Sequence, residues 1–536
     1  MNLIRLTSVL CAAGIGLATP ALRATVGVPI IYCTDLFSVL AWPSSQTGND
    51  LFGFSPAQLS VGDDTTIRYA AGSDSRKVMR FVRFEIRDPA RYAVEMTRAT
   101  ARLLQQLGAP QAETPPPGPA FPLRVSDNKR HLVDQRNQPF FVLGDTPWFL
   151  QKLKIEDVRR ILDDRQARGF NTLFLEILDD SAMPSRDAYG QVAFAPEKDI
   201  TKPVEAYWQY ADQVMEETTR RGFFVIMSEL WYGAGDGLWM HHVKPDTAKV
   251  YGEFIGRRYA RFRNVMWMHA GDRNPDANLA ECTRVLAKAI RAAAPHHLHT
   301  VHNAPGSASA AFHHRDDWLD VNLAYTYGAS YLHVLPEYQR KDPVRPVILG
   351  ETGYEDEPNA IELLPDAKQG DLWNPYRIRR NAWWAVLSGA SGYCAGTRLW
   401  RFEPNWREVL GAESTRQAPL ILRLLESRPW WRLVPDTKHE LVTAGYGTWK
   451  KADYVTAALA QDGSLGLAYT PDLRTLTVDL GRIRGPVDAR WYDPTSGEFR
   501  TADGSPFKAG GKREFKSPGQ NQAGQADWVL VLAPTK

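Results

Sequence analysis

The chain has 536 residues, more than one ordinary core holds, so two or more domains are expected. Its 64 basic and 61 acidic residues leave a formal net charge of +3, which gives no electrostatic ground for a nucleic acid or an anionic membrane as partner. Hydrophobic residues make up 44% of a folded-type composition, and 17 Trp, 20 Tyr and 21 Phe supply flat apolar faces that either fill a large core or stack on sugar rings.

At the N-terminus, Arg5 precedes the apolar run 6–17, followed by Thr19, Pro20, Ala21 and Ala24. This is the pattern of a secretory signal peptide over residues 1–24, too short to span a bilayer stably. No later stretch reads as transmembrane, so the mature protein is expected to be soluble and periplasmic or extracellular. Cys11 follows the bulky Leu10, which does not suit a lipoprotein box. Cys33, Cys282 and Cys394 are widely spaced and form neither a metal-ligand pattern nor an expected disulfide.

Residues 25–114 read as an accessory segment, with one strand over 26–37 and a helix over 89–107. Its opening, 28–35, resembles the start of a nucleoside-hydrolase-like domain, but the aspartates that such a domain needs for its metal do not follow. The run Pro115-Pro116-Pro117-Gly118-Pro119 predicts a stiff linker over 115–120.

From Phe121 apolar, β-branched runs alternate with amphipathic helical stretches, the signature of parallel βα units. Strands are expected at 140–144, 171–177, 223–228, 265–269, 298–301, 321–325, 347–350 and 392–395. Helices are expected at 155–168, 204–221, 247–263, 277–294 and 376–388. Eight such strands predict a (β/α)8 TIM barrel over 121–431, and no Gly-rich phosphate loop supports a doubly wound sheet. Beyond Trp431 short strands alternate with turn residues, which predicts an antiparallel β-sandwich over 432–536.

Barrel active sites form at the C-terminal ends of the strands. The polar residues there are Asp145, Glu176, Asp179, Glu229, Asp272, His302, Tyr325, Tyr327 and Glu351, with Trp148, Trp231 and Trp400 nearby. Carboxylates dominate, no His/Cys set has metal-ligand spacing, and no Gly-x-Ser-x-Gly elbow occurs. A carboxylate-lined mouth suits glycosidic hydrolysis, in which one acid protonates the leaving oxygen and another attacks the anomeric carbon. Asp272, in a Gly-Asp turn after strand four, and Glu351, ending strand seven, fit the acid/base and nucleophile positions of retaining barrel glycosidases. Tyr325 or Tyr327 is placed to hydrogen-bond Glu351 and keep it ionised.

Other roles stay open on the residues alone. Asp272 could cap the following helix or pair with Arg273, and Glu351 could pair with Arg377 or Arg380. Glu229 ends strand three as a competing acid, Glu176 could serve a helix N-terminus, and His302 could be a hydrogen-bonded strand-end histidine.

Seven stretches carry a resemblance: FFVLGDTPW (140–148), RGFN (168–171), YGEFIGRRY (251–259), NVMWMHAGDRN (264–274), Trp318-Leu319-Asp320, GETGYE (350–355) and 380–392. In this order they resemble the apiosidase-like glycoside hydrolases, family 140, over about 121–431. The resemblance implies Asp272 as acid/base and Glu351 as nucleophile. Residues from about 433 to 534 are similar to the small sandwich labelled "putative collagen-binding" that often follows this barrel; the label names a fold, and nothing in the sequence speaks for collagen. The chain departs from the family pattern at 324–328 (AYTYG), where a Gln-Ser-Gly-His type sequence is usual, and at 392–396 (GYCAG), where a histidine is usual.

The reading is therefore a retaining, exo-acting glycosidase of plant or microbial polysaccharide, releasing a pentofuranose such as apiose. Asp145, Trp148, Glu229, Trp231, His302, Tyr325, Tyr327 and Trp400 are expected to bind substrate, with no cofactor and no metal. The expected partner is an oligosaccharide or polysaccharide substrate, with no nucleic acid and no stable membrane insertion. The rival from another class is a non-catalytic carbohydrate-binding or adhesion protein on an inactive barrel.

Overall fold

The computed structural model describes residues 118–536, apart from 180–184, 234–238, 360 and 536, together with three N-terminal strands. Those strands, Ile30–Cys33, Phe37–Trp42 and Arg80–Glu85, form one antiparallel sheet within a unit that ends at Gly118. The expected signal peptide and the helix over 89–107 lie outside the described residues. Among the described residues no helix is long and apolar enough to cross a membrane.

The second unit begins with a three-stranded antiparallel floor, Arg124–Val125, Leu132–Val133 and Pro139–Phe140. Its Leu123, Leu132 and Phe140 pack into the barrel interior against Phe224, sealing the end opposite the strand C-termini. The barrel strands follow: β1 (Val142–Asp145), β2 (Thr172–Glu176), β3 (Phe224–Ser228), β4 (Val265–Ala270), β5 (Leu298–His302), β6 (Asn322–Tyr325), β7 (Val347–Glu351) and β8 (Ala390–Cys394). They pair in parallel in the order β5-β4-β3-β2-β1-β8-β7-β6, and a short strand, Ser307–Ala308, lies antiparallel on β6. The remaining seam is bridged by Asp320 N and Val321 N donating to His299 O, at 3.0 and 3.2 Å, and by Thr300 Oγ1 donating to Val321 O at 2.8 Å. The expected TIM barrel is thus present, nearly closed.

Helices α1 (Ile155–Arg168), α2 (Glu205–Arg220), α3 (Pro245–Tyr259), α4 (Ala277–Ala293), α5 (Tyr331–Gln339), α6 (Pro375–Leu387) and α7 (Glu413–Glu426) cover the outside. Their ends follow capping chemistry. Asp276 and Asn374 accept from backbone amides at the starts of α4 and α6, and Gly169 ends α1 in the left-handed region. Each barrel strand is buried on both faces. Val142, Phe174, Phe224, Ile226, Met266, Met268, Leu323 and Ile348 fill the interior, whereas Leu143, Leu173, Val225, Met227, Trp267, Val301 and Leu349 face the helices.

Nine strands complete the chain: β9 (Leu433–Pro435), β10 (Val442–Ala444), β11 (Thr456–Ala460), β12 (Gly466–Thr470), β13 (Thr475–Asp479), β14 (Val487–Tyr492), β15 (Phe499–Thr501), β16 (Lys512–Lys516) and β17 (Trp528–Pro534). One sheet runs β9-β11-β12-β17-β14-β15 and the other β10-β13-β16, antiparallel throughout, around a core that includes Leu476, Trp491, Phe515 and Trp528. The sandwich is fixed to α6 and α7. Arg379 donates to both Asp527 oxygens at 2.8 and 2.7 Å, Trp384 Nε1 donates to Tyr454 O at 2.8 Å, and Tyr492 OH donates to Leu420 O at 2.7 Å. Cys282 and Cys394 are buried and unpaired.

Candidate active site

Side chains along a strand point alternately to opposite faces, so the phase of each strand decides which polar residues reach the barrel mouth. On β2 the phase of Phe174 carries Glu176 inward, and on β5 and β6 the phases of Leu298 and Leu323 carry His302 and Tyr325 inward. The same rule turns Asp145 and Glu229 outward. Asp145 lies in phase with Leu143 and accepts from Arg165 Nε of α1 at 2.6 Å, with both side chains fully buried. Glu229 lies in phase with Val225 and Met227, with its Oε1 2.7 Å from His269 Nδ1 and no exposure at all. His269 Nε2 is in turn 2.8 Å from His299 Nδ1. The expectation that Asp145 and Glu229 line the site is therefore not met; both belong to the layer between barrel and helices.

Two local irregularities bring the catalytic candidates inward. In β7 simple alternation would point Glu351 out, in phase with Leu349. Across the β6–β7 ladder, however, Ala324 opposes Leu349 while Tyr325 opposes Glu351, so Gly350 is the extra residue of a β-bulge. Bulges re-aim the side chain that follows. A Cβ at Gly350 would lie 2.3 Å from the Leu323 side chain, so the bulge has room only for glycine. After β4, Ala270, Gly271 and Asp272 take positive φ values of 62°, 153° and 49° in succession, which turns the chain back over the mouth. A Cβ at Gly271 would sit 2.0 Å from the Trp231 indole.

The result is one cluster. His302, with no exposed surface, lies between the two carboxylates, its Nε2 3.0 Å from Glu351 Oε2 and its Nδ1 3.9 Å from Asp272 Oδ1. One donor atom from each of Asp272, His302 and Glu351 falls within 4.8 Å of the others. Tyr327 OH donates to Glu351 Oε1 at 2.9 Å and receives the Tyr325 hydroxyl at 3.1 Å. Asp272 is pushed up to about 6. Burial is the main cause and the Glu351 charge the second, partly offset by His302 and by hydrogen bonds from Tyr325 and Trp231. The rings of Trp231 and Tyr325 pack on His302 at centroid distances of 4.7 and 4.5 Å, and Trp148 Nε1 donates to Tyr354 OH at 3.0 Å.

Above the cluster opens a cleft of about 410 Å³. Trp148, Trp231, Asp272, Tyr327, Glu351 and Trp400 line it, whereas His302 and Tyr325 form its base, behind the carboxylates. Glu176, Phe149, Tyr354, Glu357, Ile361 and Trp373 line it as well. Glu176 carried a signal in the sequence, as a carboxylate ending the second barrel strand; the others lie on segments between the barrel strands. The structural alternatives for the acids are also resolved. Asp276, and not Asp272, caps α4, while Arg377 and Arg380 pair with Asp371 and Asp366 rather than with Glu351.

The family described as "Apiosidase-like, catalytic domain" matches residues 126–432, more than half of the chain. The chain belongs to the apiosidase-like family. The sandwich matches "Putative collagen-binding domain of a collagenase" over residues 434–533. Among solved structures, a "Glycoside hydrolase" is similar with a TM-score of 0.69 at 24% identity, covering 78% of this chain and 97% of that one. A glycoside hydrolase family 5 protein from Bacteroides vulgatus is similar with a TM-score of 0.68 at 25% identity, covering 77% and 93%. No curated protein matches the sequence significantly. Family and fold make this apiosidase-like chain a glycosidase.

Proposed function

We propose that the chain is an exported, retaining, exo-acting glycosidase that releases a terminal pentofuranose of the apiose type from plant or microbial polysaccharide. The observation that carries the retaining reading is the approach of two inward carboxylates. Retention asks for carboxyl groups about 5–5.5 Å apart and inversion for about 6.5–9.5 Å. Asp272 and Glu351 offer oxygens within 4.8 Å of each other, a close approach that supports retention. Export is supported by Arg5 and the apolar run 6–17.

The two acids are not equivalent, which supports distinct roles for them. Glu351 carries the Tyr327 hydrogen bond on Oε1, and its other oxygen is left to attack the anomeric carbon. Asp272 has no such donor on Oδ1 and supplies the proton to the leaving oxygen. The glycosyl ester on Glu351 is then hydrolysed by a water whose proton passes to Asp272. The ester C–O bond breaks, both carboxyl groups return to their starting states, and two inversions give net retention. Trp231 and Trp400 offer apolar faces to the sugar, and Glu176 accepts from its hydroxyls.

The test uses aryl pentosides and rhamnogalacturonan oligosaccharides. Asp272→Asn and Glu351→Gln are each expected to lower kcat by about 10³ or more. NMR of the first-formed product should show the anomer of the substrate. Intact hydrolysis in both variants, or an inverted product, would overturn the assignment.

A further inference from the structure

Several of the described buried histidines have hydrogen-bond partners on their rings. His269 has Glu229 and His299 on its two nitrogens, and His297 receives Trp267 Nε1 at 3.0 Å and has Phe262 O at 2.7 Å. His313 Nδ1 lies 2.7 Å from Asp316. Among the described buried histidines, His302 alone has both ring nitrogens buried without a hydrogen bond. The short approach of its Nε2 to Glu351 lacks hydrogen-bond geometry, and Asp272 Oδ1 is likewise buried and unpartnered. The packed rings of Trp231 and Tyr325 keep the imidazole from turning away. Ligand atoms from three strand ends thus converge within 4.8 Å, those of Asp272 Oδ1 and His302 buried and unsatisfied, at a cost that invites a ligand.

We propose that Asp272, His302 and Glu351 bind one divalent transition-metal ion of the zinc class, and that the bound ion switches hydrolysis off. The donor set selects the ion. One imidazole and two carboxylates suit Zn²⁺ and Co²⁺, whereas Mg²⁺ and Ca²⁺ call for six or more oxygens. Two carboxylates and a neutral imidazole carry a charge of −2, which the ion cancels in a place where uncompensated charge is costly. Metal–ligand bonds of about 2.0–2.2 Å put tetrahedral donors about 3.5 Å apart; His302 Nε2 and Glu351 Oε2 already lie 3.0 Å apart, so it is chiefly Asp272 that has to close, by about an ångström. The fourth position stays open to water or a sugar hydroxyl. A metal-bound Asp272 holds no proton for the leaving group and a metal-bound Glu351 has no free lone pair, so both steps of hydrolysis stop.

The switching half rests on the glycosidase reading; the binding half does not. The full chain, stripped with EDTA and dialysed, is titrated calorimetrically with ZnCl₂, MgCl₂ and CaCl₂ separately, and with CoCl₂ while visible absorption is recorded. One Zn²⁺ per chain, Co²⁺ bands of low coordination number, and no Mg²⁺ or Ca²⁺ binding are expected. His302→Gln should weaken Zn²⁺ binding about 100-fold or more. A variant with His241 and His242 both changed to Gln should bind as wild type. If His302→Gln does not fold by circular dichroism, Asp272→Asn and Glu351→Gln serve in its place. Stoichiometric zinc retained in all three variants, or lost with the His241/His242 pair, overturns the site. Wild-type hydrolysis that bound zinc leaves unchanged or raises overturns the switch. Zinc bound through His302 with no glycoside cleaved leaves the metal site standing and sinks the glycosidase reading.

Discussion

Glu229 and Glu351 look alike in sequence, each ending a barrel strand, and replacing Glu229 by Gln tests the physical argument that separates them. Glu229 is fully buried on the outer face of the barrel and in charge-assisted contact with His269 at 2.7 Å. Glutamine keeps the shape and an acceptor oxygen but loses the charge, so the expected loss is that of one charged hydrogen bond, about 1.5–3 kcal/mol. For a chain of this size that corresponds to a fall in Tm of about 1–3 °C. The Tyr251 hydroxyl bonds to the Glu229 backbone oxygen at 2.7 Å, and that anchor survives the change. Measured well below the transition, kcat and kcat/KM should stay within about threefold of wild type, because no reacting atom is touched. The assay pairs thermal unfolding by circular dichroism with steady-state kinetics on the best aryl glycoside. A loss of about 100-fold in kcat at unchanged Tm would refute the outward assignment and return Glu229 to the site.

Gly271→Ala forces a methyl group against Trp231 and should displace Asp272. A fall of about 10² in kcat is expected, whereas Gly222→Ala, at a positive φ of 76° with open space around it, should cost stability without touching kcat. Tyr327→Phe removes the 2.9 Å bond to Glu351, and stopped assays should show kcat down about 10- to 100-fold. Burial lowers His131 and His297 to about 4 each, below the ordinary histidine value of about 6.5. Between those values the unfolded chain binds more protons than the folded one, so Tm should fall as pH drops from about 6.5 to about 4. A Tm flat across that window would contradict neutral buried imidazoles at 131 and 297.

Much of the fold is legible along the chain. The eight barrel strands lie within a few residues of their expected places, because β-branched apolar runs between amphipathic helices have few other stable arrangements. Helices α5 and α7 are harder to read, since Pro336 and Pro419 sit inside them and proline reads as a breaker. The cleft residues Tyr354, Glu357, Ile361 and Trp373 carry no periodicity and are placed only by the folded chain.

The sequence by itself determined that this chain is a barrel with a sandwich behind it, and that carboxylates crowd the strand ends. It did not determine which of those carboxylates face substrate. Parallel barrel strands are buried on both faces, so their residues read as one apolar run and the alternation carries no visible sign. Tertiary packing sets the phase, sending Glu176 inward and Asp145 and Glu229 outward to Arg165 and His269. Glu351 reaches the mouth only because Gly350 bulges against Leu323, and Asp272 only because three left-handed residues fold back over Trp231. The unpartnered His302 between them arises from three strand ends far apart in sequence, a convergence that only the closed barrel brings about.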